Sequence, residues 1–261
     1  MIPRPLFACL SLFLALAFPL AAGEDADTDP IQGEGRYPRH LQGVCRAPSG
    51  DIYWSWTDAI ARTDASGKLL AKVAADNHQG DLCHHDGRVY VAVNLGRFNR
   101  PAGEADSWIY VFDGESLALL EKHPVPELIH GAGGIACDGE RFLVVGGLPP
   151  EIEVNTVHEY DLDLRFVKSH VLPSGQTRLG IQTVAWAHGA WWFGCYGKTL
   201  LRADDTFQLT GQWEFDAAIG IEEAPEGRFF IGRNHRDPKA GYAGSLHYAV
   251  ADEETGLRLL E

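Results

Sequence analysis

The chain has 261 residues, with 36 acidic against 22 basic side chains and a formal net charge of −14. Neither nucleic acid nor an anionic membrane surface is attracted to so acidic a balance, so both are excluded as partners. After the first residues no stretch approaches the roughly 20 apolar residues of a membrane-spanning helix, so no membrane insertion is expected.

Residues 1–22 read as an export signal peptide: Arg4 supplies the positive start, Leu6 to Leu20 is apolar, and Ala21 and Ala22 are small enough for cleavage. A secreted or periplasmic location follows. Residues 23–38, GEDADTDPIQGEGRYP, are polar with Gly and Pro and read as a linker, part of which could add an edge strand. Residues 39–261 carry a repeat. Outside the signal the cysteines are Cys45, Cys83, Cys137 and Cys195, compatible with two disulfides or with buried thiols.

Five segments share one pattern, an apolar strand, a turn closing on Gly, then an aromatic or aliphatic strand: VCRAPSGDIYWSW, LCHHDGRVYVAV, IACDGERFLVVGG, VAWAHGAWWFGCY and IEEAPEGRFFIGR. Their turn glycines are Gly50, Gly87, Gly139, Gly189 and Gly227, and acidic turns follow at Asp64, Asp113, Asp161, Asp204 and, least clearly, Asp252. From each acidic turn to the next turn glycine the spacing is 23 to 28 residues, whereas glycine to acidic turn varies from 14 to 26. The predicted fold is all-β, a five-bladed β-propeller of four-stranded antiparallel blades. Length variation is then confined to the connection between second and third strands, which becomes a long loop in blades two, three and five: LGRFNRPAGEADS, LPPEIEVNT and NHRDPKAGYAGS.

Strand alternation puts those loops at the end of the ring where the innermost strands begin. That end should gather His40 and Gln42, His78 and Asp81, His130, Gln182, and Glu222 from the inner strands. Second strands should add Trp56, Asn94, Tyr196, Arg233, Asn234 and His235. Polar groups cost stability when buried unless paired, so such a collection points to a ligand site.

Three chemistries fit the set. Acid–base catalysis would use Asp81 with His78 and His130, Arg233 stabilising negative charge. Polar recognition would use His40, Gln42, Trp56, Asn94, Gln182, Tyr196, Glu222, Asn234 and His235 around a peptide or glycan fragment. Imidazoles and carboxylates could also hold a metal, but no HxH or HExxH run selects one, and no cofactor is specified.

Gln42 and Gly43, followed by Arg62, Thr63, Asp64, Ala65, Ser66, Gly67 and Lys68, resemble the opening of the secreted five-bladed glutaminyl-peptide cyclotransferases. The wider pattern is similar to secreted bacterial propellers along nearly the whole chain after the signal. The cyclotransferase family places a Glu between glycines on the second inner strand, where this chain has His78, Gln79, Gly80, Asp81 and Leu82. Two functions of different class follow: a propeller that binds and acts on a small polar molecule, or a noncatalytic scaffold for an envelope protein.

Overall fold

A computed structural model describes residues 28–261, so the signal-peptide expectation lies outside the described residues. A short strand, β1 (Ile31–Gln32), precedes the first blade, β2 (Leu41–Arg46), β3 (Ile52–Trp56), β4 (Ala59–Thr63) and β5 (Leu69–Ala74). Blade two is β6 (Gln79–His85), β7 (Arg88–Asn94), β8 (Ser107–Asp113) and β9 (Leu119–Pro124). Blade three is β10 (Ala132–Cys137), β11 (Phe142–Gly146), β12 (Asn155–Tyr160) and β13 (Phe166–Leu172). Blade four is β14 (Arg178–Ala187), β15 (Ala190–Tyr196), β16 (Thr199–Ala203) and β17 (Leu209–Glu214). Blade five contains β18 (Ile221–Ala224), β19 (Arg228–Asp237), β20 (Gly241–Asp252) and β21 (Gly256–Leu259). In each blade consecutive strands pair antiparallel, as the repeat predicts.

The five turn glycines all sit at positive φ, from 72° to 98°, a region that residues with a Cβ seldom adopt. The acidic turns have an equally plain cause. In each, one carboxylate oxygen accepts backbone N–H bonds from residues two to four further on, as Asp64 does from Ser66 and Lys68. Asp113, Asp161, Asp204 and Asp252 repeat the arrangement, so the fifth is a full member of the series.

Buried side chains fall into five clusters, and each cluster joins two neighbouring blades. Within β7, Val89, Val91 and Val93 pack toward blade one while Tyr90 and Ala92 pack toward blade three. Both faces of a middle strand are thus buried, which is why these strands read as continuous apolar runs. Five interfaces for five blades close the ring.

Closure takes place at the outer position of blade five. There β1 pairs with Ser245 and Leu246 of β20, and β21 pairs further along with Ala249 to Asp252. The segment read as a linker therefore does contribute an edge strand. It is held on blade one as well: Glu34 N–H donates to Gly67 O at 2.8 Å, and Tyr37 stacks on Trp56 with ring centroids 3.9 Å apart.

Two expectations need correction. The blade-five loop is mostly a hairpin, since β19 runs to Asp237 and β20 starts at Gly241; its Gly, Pro and Lys residues masked paired strands. Trp56, assigned to the mouth, is 1 % exposed within the core between blades one and five, together with Trp54. Residues two apart in a strand share a face, so both rings turn the same way. The four cysteines among the described residues are free thiols.

Candidate functional site

Of the residues expected at the mouth, Gln42 and His78 meet where blades one and two join. Gln42 Nε2 donates to His78 Nε2 at 2.8 Å and lies 3.4 Å from Thr57 Oγ1. The His40 ring is 6.5 Å from that of His78, and Thr57 Oγ1 donates to His40 O. With the amide nitrogen as donor, His78 Nε2 is the acceptor and the ring proton sits on Nδ1. Burial, and then the neighbouring His40, hold His78 below the usual imidazole value; burial, and then Arg39, do the same for His40. Both rings are accordingly neutral at pH 7. Tyr242 from the blade-five hairpin stands edge-on to His40 at 6.3 Å and completes the wall.

Below this group Asp81 crosses the axis. Its Oδ2 accepts the N–H of Val184 at 3.0 Å, a bond between blades two and four, which are not neighbours in the ring. Asp81 is 1 % exposed, and burial pushes its carboxyl well above the usual range against the opposing pull of backbone donors. Gly43 leaves it room, because a Cβ there would come within 2.2 Å of Asp81 Oδ1. Among the described residues that oxygen has no hydrogen-bond partner. No hydrogen bond joins Asp81 to His78 or His130 among the described residues.

Other residues expected at the mouth divide by sector. Asn94 spends both ends of its amide on the following loop, donating to Gly96 O and accepting from Asp106 N–H. That loop brings Phe98 against Gly131 and Gly133, so the blade-three side of the mouth is covered. His130 turns away from Asp81: its Nδ1 bonds to Arg100 O at 2.8 Å, and it lines a separate cavity between blades two and three. Gln182 donates to Leu179 O, and Asn234 Oδ1 accepts the N–H of Leu41, tying blade five to blade one.

Between blades four and five, Arg233 donates to Asp216 O at 2.9 Å, and burial lowers its guanidinium from the usual value. Tyr196, in the same sector, has its hydroxyl pushed up by burial and by Asp216. His235 Nε2 lies 2.7 Å from the buried Ser245 Oγ, which also contacts His247 Nε2 at 3.0 Å. Sequence reasoning missed Ser245 and His247, which stand two apart on β20, Ser245 opposite Arg233 and His247 opposite Ile231.

Glu222 belongs to the opposite end. It lines a cavity of about 310 Å³ with Arg46 and His84, at the far ends of β2 and β6, and with Pro48 in the turn after β2. Burial drives its carboxyl up to about 8, against the pull of the Glu223 N–H. Counting from the strand start fails here because β18 pairs with β19 without the bulge that interrupts the other four inner strands.

No protein-family pattern and no curated protein matches the sequence. Among solved structures, the chain is similar to the glutaminyl cyclase of Myxococcus xanthus with a TM-score of 0.60 and 12 % identity, over 88 % of this chain and 95 % of that one. A nidogen/laminin complex matches with a TM-score of 0.50 and 8 % identity, over 74 % of this chain and 72 % of that one. At these identities the likeness is one of fold: this chain is a five-bladed β-propeller, distantly similar in structure to the Myxococcus cyclase.

Proposed function

We propose that the chain is an exported propeller that binds a small polar molecule, a peptide or glycan fragment, in the mouth sector between blades one and two. One observation carries this reading: Gln42, His78 and His40 converge beside Thr57, with Asp81 packed against the neighbouring Gly43. Neutral imidazoles both accept and donate, and an amide does the same, so the set suits hydroxyl and peptide groups better than ions. The same geometry offers acid–base chemistry through His78 Nε2, whose lone pair is released when a ligand displaces the Gln42 amide. In this reading Asp81 braces the site as a neutral acid, and Arg233 supplies positive charge at the far side of the mouth.

Titration calorimetry with glutaminyl-glycine and with diacetylchitobiose tests the reading. One of the two is expected to bind, and Gln42→Ala or His78→Ala to weaken it at least about tenfold, the loss of roughly one or two hydrogen bonds. Binding by neither, or binding indifferent to both substitutions, would replace this reading with that of a noncatalytic scaffold. Mass analysis of the incubated compounds shows whether either is altered.

A further inference from the structure

A cavity lies in the groove between blades two and three. It measures about 330 Å³, at the lower end of the roughly 300 to 1,000 Å³ of small-molecule sites. Leu128, Leu148 and Ile152 give it an apolar wall, and Ile129 and Val154 stand at its lip, 48 % and 36 % exposed.

Glu127 is its one acidic lining residue, and no lysine or arginine lines it among the described residues. The carboxylate of Glu127 accepts the Tyr160 hydroxyl at 2.8 Å through Oε2. Its Oε1 has no hydrogen-bond partner, and no basic side chain forms an ion pair with it among the described residues. His158, on the adjoining wall, does not serve as counter-ion. Burial holds that imidazole down to about 4 despite the pull of Glu127, and its Nδ1 is engaged by Ser169 Oγ at 3.0 Å. Glu127 is half-buried at the edge of an apolar hollow, and a cation with an apolar body complements both the carboxylate and the wall.

We propose that this groove is a binding site for a small primary amine carrying an aliphatic or aromatic body, the ammonium on Glu127 and the body against Leu128, Leu148 and Ile152. The site is distinct from the mouth and does not depend on what binds there. A carboxylate of the same shape is repelled, and a neutral amide lacks the charge that Glu127 selects.

Titration of the labelled protein with leucinamide, N-acetylleucinamide and isocaproate, followed in ¹H–¹⁵N spectra, tests the assignment. Leucinamide is expected to move the amide signals of Gly131, Gly147 and Thr156, with affinity at least about tenfold above the other two. Glu127→Gln keeps an acceptor for Tyr160 and should abolish that preference. Val154→Lys, at the exposed lip, places a tethered ammonium beside Glu127 and should exclude leucinamide from a folded protein. Equal response to all three compounds, shifts at other residues, or unchanged selectivity in both variants would overturn the assignment.

Discussion

At pH 9 the Glu222→Gln variant is expected to be more stable than the parent chain by about 3 kcal/mol, a difference that vanishes near pH 4. The folded-state carboxyl titrates at about 8 and the unfolded one at 4.5, so between those values the folded protein binds the extra proton. Stability contributed by a raised acid is present below the unfolded value and is lost as pH rises through the window. Each pH unit is worth about 1.4 kcal/mol, and partial access from the cavity reduces the full sum to about 3. Glutamine has no proton to lose, so its stability curve stays flat where the parent declines. Asp81 pushes in the same direction and is present in both proteins, so the difference isolates Glu222. Urea unfolding at several pH values measures it. Parallel decline of both proteins between pH 5 and pH 8 would show that Glu222 is solvated rather than buried.

Trp54→Ala should cost about 3–5 kcal/mol, the range for removing a large buried aromatic ring. The indole is 1 % exposed and fills the seam between blades one and five. A Cβ added at Gly33 would come within 3.0 Å of this ring and one at Gly244 within 3.1 Å, so both glycines pack close against it. Truncation also leaves the buried Thr63 hydroxyl without the indole N–H, which now donates to it at 3.0 Å. Trp108 lies only partly buried in an outer strand, so Trp108→Ala should cost about 1 kcal/mol. Denaturant midpoints of the two variants compare them directly, and equal losses would show that the seam bears no special share of the packing.

The blade repeat was readable because it is written in residues with single physical uses: glycine for positive φ and aspartate for the turn that follows. Convergence of Gln42 and His78 was readable for a related reason, since strand direction fixes which ends meet. Depth and facing were less so. Trp56 was misplaced because alternation was counted without knowing which neighbour each face would meet, and Glu222 because a missing bulge leaves no mark in four residues. Glu127 was invisible as a site residue, for PVPELIH reads as a connection until blade three supplies the other wall.

The outer edge of blade five is made of two separate pieces, β1 with two residues and β21 with four, laid end to end on β20. Neither piece has the ladder of a full strand, so a mechanical load applied between the two ends of the described chain would peel this clasp before it strained any complete blade. Amide exchange should follow the same order, fastest in these two pieces and slowest in the middle strands of blades two to four.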